Sequence, residues 1–283
     1  MARCTKSRAI ILGTLMQVRF WGVRGSVPWA TPAAIGFGCN TPCVEVRDDR
    51  RGAYLILDGG SGLVGLSDTF AGEPRPTPLL LSHYHWDHTH GLPFFGPLYS
   101  PGWTPEIFAP ALADVPADWI HSLFQPPNFP VPFAGLPNRP TVTFLEPSRH
   151  EIGGFHVSVQ PLTHPGGAFA YRIHGRTGDL CYVTDHEFGN PAIDEPLLEF
   201  CRNCAALISD AHFTPDELVR HRGWGHGDWR QVAEFASQCA AGRLFLFHHK
   251  PGRADVELTQ IVGDARRVFP FTDAACEGLA FDI

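Results

Sequence analysis

With 283 residues, 44% of them hydrophobic and 18% charged, the chain reads as an ordinary globular protein of one large or two small domains, able to bury about three quarters of its unfolded surface without a metal to hold it together. A net charge of −7 argues against a basic face for a nucleic-acid backbone, and no stretch is apolar for long enough to span a membrane. Eight scattered cysteines, with no export signal ahead of them, fit reduced thiols and therefore the cytoplasm.

Residues 1–15 carry Arg3, Lys6 and Arg8 before the short apolar run "AIILGTLM", without a small-residue cleavage site after it. They are expected to be a disordered extension ahead of a single domain over 16–283. Strands follow in quick succession: "QVRFWG" (17–22), "CVEVR" (43–47), "YLILD" (54–58) and "PLLLS" (78–82). Each is a short β-type run bounded by turn residues.

Between 93 and 140 lie twelve of the 26 prolines, mixed with aromatic residues. This composition excludes long helices apart from "PADWIHSLF". The segment is expected to be an insertion lining a pocket. A second batch of strands comes after it: "TVTFL" (141–145), "FHVSVQPL" (155–162), "FAYRIHG" (169–175), "LCYVTD" (180–185), "AALISD" (205–210) and "RLFLFH" (243–248). Helical patterns fall at 194–202, 228–241 and 255–268, the second opening on Asp228 as N-cap. Two batches of strands with helices beside them predict two sheets packed face to face and covered by helices, an α/β architecture.

The chemistry is concentrated in "LLLSHYHWDHTHGLPFF" (79–95). His83 and His85 alternate along an extended segment and so leave the backbone on one face, while Asp87 and His88 follow where the chain turns at the sheet edge. Imidazole and carboxylate at such spacing are zinc ligands, and they also suit iron or manganese. The bland alternative is a polar strand end with solvated histidines. The pattern S-H-x-H-x-D-H-x-x-G resembles the signature of the metallo-β-lactamase fold, a four-layer αββα sandwich with metals at one edge of its sheets.

That resemblance covers nearly the whole chain from residue 17. It implies further ligands at later strand ends, where His164 in "PLTHPGG", Asp185 closing "LCYVTD" and His248 closing "RLFLFH" stand. By analogy His83, His85 and His164 hold a first divalent metal, Asp87, His88 and His248 a second, and Asp185 bridges them. Zinc comes first, with manganese or iron as alternatives. His249 competes for the last place, but neighbours on a strand face opposite sides; His248 directly continues the apolar strand and is preferred, with His249 behind it as a supporting residue. Asp58 in "LILDGGSG" resembles an aspartate that hydrogen-bonds a ligand from behind, and Asp-Gly-Gly is also strong turn chemistry.

Fold alone does not choose the reaction. "RFWGVRGSVP", "GCNTPCVEV", "GWGHGDW" and "LFHHKP" together resemble a bacterial group related to phosphoribosyl 1,2-cyclic phosphate phosphodiesterase and to the tRNA 3′-end nuclease tRNase Z. In that comparison Asp210 of "SDAHF" and His226 of "GWGHGDW" take the places of an acid–histidine pair beside the metals, with aspartate where the nuclease has glutamate; His212 and His221 compete for the histidine's part. Asp87, His226 and Asp210 are thus the candidate catalytic residues.

The resemblance implies a binuclear phosphodiesterase in which a hydroxide shared by the metals attacks a small phosphodiester, cyclic ones included, and His226 serves the leaving oxygen. The alternatives are an acyl hydrolase of lactones or thioesters on the same metals, and a metal-bound sensor without turnover. The expected partner is a small molecule rather than a membrane or nucleic acid, and a homodimer is compatible with the sequence. "CRNC" (201–204) has Cys-x-x-Cys spacing, but lies in a helical stretch without a second pair, so packed thiols are expected.

Overall fold

The computed structural model describes residues 16–70 and 74–283; the expected extension at 1–15 lies outside the described residues. Runs such as "LLL" and "LFLF" are apolar at consecutive positions, which is what a strand buried on both faces requires. The strands are β1 (Gln17–Gly22), β2 (Cys43–Asp48), β3 (Ala53–Leu57), β4 (Pro76–Leu80), β5 (Thr104–Pro110), β6 (Thr141–Leu145), β7 (Arg149–Ile152), β8 (Phe155–Leu162), β9 (Ala168–His174), β10 (Asp179–Val183), β11 (Ala206–Asp210), β12 (Leu244–Phe247), β13 (Thr272–Ala274) and β14 (Ala280–Asp282). The helices are α1 (Gly62–Ser67), α2 (Trp86–Thr89), α3 (Pro191–Phe200), α4 (Pro215–Leu218), α5 (Trp229–Gln238) and α6 (Asp255–Val268).

Two seven-stranded sheets result, ordered β14-β1-β2-β3-β4-β5-β6 and β13-β12-β11-β10-β9-β8-β7. Each is antiparallel in one half and parallel in the other: β3 to β6 run parallel in the first sheet, β10 to β13 in the second. Alternation along each strand serves two layers at once. Leu55, Leu57, Phe245 and Phe247 point into the core between the sheets, with Phe20, Phe155, Tyr171 and Tyr182. Their neighbours Leu244 and Leu246 point outward, under Val232 and Ala236 of α5 and Ile261 and Ala265 of α6.

Ile56, Leu79 and Leu81 face the other outer side. There they meet Leu63 and Leu66 of α1 together with Trp119, Ile120, Phe124 and Leu136. The proline-rich segment is therefore the outer covering of the first sheet. It also supplies β5, an inner strand that Pro105 and Pro110 within it hide from a periodicity reading, and "PADWIHSLF" forms only a short 3-10 turn at Trp119–Leu123. α5 opens on Asp228, whose carboxylate caps Arg230 and Gln231 in a capping box. The short strands β7, β13 and β14 and the short helices α1, α2 and α4 are additions to the elements expected from sequence. Among the described residues no helix is long and apolar enough to cross a membrane.

Candidate metal centre

The carboxyl ends of parallel strands are where open α/β sheets gather ligand-binding groups, and here the ends of β3, β4, β10, β11 and β12 converge on one edge. Three residues just past these ends hold a left-handed backbone without being glycine: Asp58 (φ 60), Asp185 (φ 57) and His248 (φ 56). Such a conformation costs energy and persists where surrounding contacts hold it. It stops each strand and swings the side chain over the sheet edge. Asp87 and His88 instead occupy the first turn of α2.

His83, His85, His164 and Asp185 form one group. His85 Nδ1 and His164 Nε2 face each other at 2.9 Å, and Asp185 Oδ2 lies 3.2 Å from His83 Nε2 and 3.7 Å from His164 Nε2. His164 donates its Nδ1–H to the carbonyl of Gly225 at 2.8 Å, which leaves the Nε2 lone pair directed into the group. Burial pushes His83 down to about 3 and His164 down to about 4, and lowers His85 as well. These imidazoles are therefore neutral at physiological pH, the form that binds metal.

Asp87, His88 and His248 form the adjoining group. His88 Nε2 is 3.3 Å from His248 Nε2 and 3.4 Å from Asp87 Oδ2, and His248 Nε2 is 3.0 Å from Asp87 Oδ2. Asp185 reaches this group too, with Oδ2 3.2 Å from His88 Nε2 and Oδ1 3.2 Å from His248 Nε2. One carboxylate thus touches both groups.

Behind them, Asp58 accepts from His88 Nδ1 at 2.8 Å, from the Tyr182 hydroxyl at 2.7 Å and from the Ser82 hydroxyl and backbone N–H at 2.8 and 2.7 Å. The Ser26 N–H donates to Asp87 Oδ2 at 2.7 Å. Gly25 beside it has no side chain because a Cβ there would overlap the His248 ring.

This donor set fits divalent cations. Asp58, Asp87 and Asp185 are buried, and among the described residues none has a lysine or arginine partner. Buried negative charge of this density needs a compensating cation. The chain alone answers that charge by favouring a charged His88: burial opposes it, but Asp87, Asp58 and Asp185 raise its pKa well above the ordinary value. Pairs of imidazole nitrogens facing one another have the same remedy, a metal between them.

Asp210, at the end of β11, stands beside the second group. His226 Nδ1–H donates to Asp210 Oδ2 at 2.8 Å, and the His226 ring lies stacked 5.1 Å from that of His248 and edge-on, at 5.4 Å, to that of His164. Burial works against a charged His226, yet the Asp210 carboxylate outweighs it and pushes the group up to about 9. His212, two residues past Asp210, stacks on His226 at 4.5 Å and donates its Nδ1–H to the His248 carbonyl at 3.0 Å. It supports the pair from beneath; the sequence placed it only as a rival for His226. A cleft of about 460 Å³ opens beside His164, between Pro165, Phe188, Asn190 and Arg222, and none of its lining residues comes from 93–140.

His248 and His249 separate cleanly. His248 faces the ligand groups, whereas His249 donates Nε2–H to the Ala275 carbonyl at 2.8 Å and lies edge-on to Phe37. The expectation that the His249 side chain supports the ligands is corrected: its backbone does the work, pairing with Val23 and Gly25 and so holding the loop that brings Ser26 to Asp87. His248→Ala is expected to lose metal and activity together, and His249→Ala to keep its metal. Elemental analysis of the two variants checks this, and the opposite pattern would reverse the assignment.

A family model described as "Beta-lactamase superfamily domain" matches residues 57–249. The chain is similar to a ribonuclease Z of Lacticaseibacillus casei, 22% identical over 306 residues that span 91% of this chain and 92% of that protein. Among solved structures it resembles the metallo-β-lactamase fold protein YhfI from Bacillus subtilis, at a TM-score of 0.73 and 21% identity, covering 96% of this chain and all (100%) of the other. It also resembles a diphosphatase from the PhnP family, with a TM-score of 0.70 and 16% identity over 95% of this chain and 97% of that one. At these identities the two structures share the fold.

Proposed function

The chain belongs to the β-lactamase superfamily and is a metal-dependent hydrolase, and from that premise we propose that it is a phosphodiesterase of small, including cyclic, phosphodiesters. The observation that carries this reading is the Asp210–His226 pair, joined at 2.8 Å and set against His164 and His248. A buried imidazole with its Nδ1–H held by a carboxylate presents Nε2 to whatever lies over the ligand groups. Alkoxide departure from phosphorus needs a proton donor at that place. The names of the similar proteins, a ribonuclease and a diphosphatase, agree in describing phosphoryl chemistry.

His83, His85 and His164 would hold one cation, Asp87, His88 and His248 the other, with Asp185 shared. Divalent cations there, zinc first and manganese or iron as alternatives, supply Lewis acidity toward phosphoryl oxygens and lower the pKa of a water. The chain's own contribution is orientation. Asp58 holds the Nδ1–H of His88 and the Gly225 carbonyl that of His164, so both rings aim Nε2 inward. Ser26 fixes the Asp87 carboxylate, and Asp210 fixes the ring of the proton donor. Cys39, Cys43, Cys181, Cys201, Cys204 and Cys239 are free thiols, which supports the cytoplasm as the compartment.

Metal-loaded protein is expected to release 4-nitrophenol from bis(4-nitrophenyl) phosphate, and to stop when a chelator strips the cations. Turnover of lactones or thioesters with no phosphodiester cleavage would establish the acyl-hydrolase alternative. Tight metal binding without turnover of either would establish a sensor.

A further inference from the structure

Glu187, two residues after the shared aspartate and absent from the ligand set, ties the two halves of the site to each other. Its Oε1 accepts from the Gly223 N–H at 2.8 Å, and its Oε2 accepts from the same N–H at 2.9 Å and from the Gly225 N–H at 2.8 Å. Its own backbone N–H donates to the Thr163 carbonyl at 2.9 Å, immediately before His164. The next link is the Gly225 carbonyl, which accepts the Nδ1–H of His164 at 2.8 Å.

Gly225 has φ +83, and a Cβ there would overlap the His164 ring, so the loop lies directly on that histidine. The residue that follows is His226. The rest of the loop is held by contacts nearer in the chain: Arg222 is exposed, and Trp224, 61% exposed, donates its backbone N–H to the His221 carbonyl at 3.1 Å and sets its ring edge-on to that of His221. Backbone N–H bonds to a carboxylate are charge-assisted and about twice as strong as neutral ones, so Glu187 supplies the loop's strongest tie to the strand end that carries Asp185.

We propose that Glu187 is a positioning residue that clamps the 223–225 loop, so that the Gly225 carbonyl sets the tautomer of His164 and His226 is held against His164 and His248. The His226 half rests on the phosphodiesterase reading; the His164 half does not. The carboxylate touches no ligand atom. It acts on metal affinity through one carbonyl and on proton donation through one peptide.

The test compares Glu187→Ala, Glu187→Gln and Glu187→Asp with wild type by zinc competition against a chromophoric chelator, and by rates on an alkyl phosphodiester and on bis(4-nitrophenyl) phosphate. Glu187→Ala is expected to weaken one of the two zinc sites by about 10- to 100-fold, the usual scale for losing a partner behind a ligand. Its rate should fall about tenfold further on the alkyl ester than on the nitrophenyl ester, because only the former needs a proton. Glu187→Gln keeps one acceptor oxygen without the charge and should fall between wild type and the alanine variant on both measures. Glu187→Asp, one methylene short, should behave as alanine does.

If the alanine variant does not fold, the glutamine and aspartate variants carry the same contrast. Unchanged zinc affinity in the alanine or aspartate variant overturns the His164 half, and equal rate losses on both esters overturn the His226 half. Should wild type cleave no phosphodiester at all, the functional reading falls, and the chelator titration still decides the link to His164.

Discussion

Asp185→Asn is expected to lose tight binding of both cations and, with it, nearly all activity. The carboxylate sits 3.2 Å from nitrogens of His83, His88 and His248 and 3.7 Å from His164, so it is the one side chain in contact with every histidine of both groups except His85. Burial opposes its ionisation, but the surrounding histidines hold it well below the ordinary carboxylate range. Asparagine keeps the shape and tolerates the left-handed backbone at φ 57, so the variant isolates the charge. Alanine would add backbone strain. Several kcal/mol of charge stabilisation ride on the cations, which at about 1.4 kcal/mol per tenfold is roughly three orders of magnitude in rate or more. Elemental analysis alongside steady-state kinetics checks the result. A variant that still holds two metals and a tenth of its rate would remove Asp185 from the centre.

His226→Ala is expected to keep both metals yet lose about two to four orders of magnitude on an alkyl phosphodiester. Its ring meets the histidines of the two groups by ring contacts, stacked on His248 and edge-on to His164, and His83, His85, His164, Asp185, Asp87, His88 and His248 form both groups without it. The loss should shrink on a 4-nitrophenyl ester, whose leaving group departs unprotonated. Asp210→Ala should follow the same dependence more weakly, since orienting an imidazole matters less than supplying one. Equal losses on both esters would mean that His226 acts on the phosphoryl oxygens instead. Unaltered rates on both would leave the pair a structural feature and shift the reading toward acyl hydrolysis.

Much of this was legible in the chain because it is local. The 83–88 cluster is six consecutive residues, and its ligand spacing survives any tertiary detail. His164, Asp185 and His248 each stand at the end of an apolar run, and a buried strand must deliver such a residue to an edge. The two sheets could be read from the same runs, since strands covered on both faces are apolar at consecutive positions. β5 escaped because it contains Pro105 and Pro110, and β13 and β14 because three residues carry no period.

The strand-alternation argument favoured His248 over His249, and the structure turns His248 toward the ligands by a different device. The left-handed kink at φ 56 falls on His248 itself, just past β12.

What the sequence determined by itself, then, is which residue types stand at the strand ends and hence the fold class and the metal chemistry, because strand period and ligand spacing are short-range properties. Which partners those residues meet was decided only by the tertiary structure. His212 donates to a carbonyl 36 residues away, Asp58 to Tyr182 spans 124, and Glu187 reaches glycines 36 and 38 residues on. These contacts bind backbone groups or depend on packing between sheets, and a backbone carbonyl or N–H has the same formula at nearly every position, so no residue pattern marks the one that will be used.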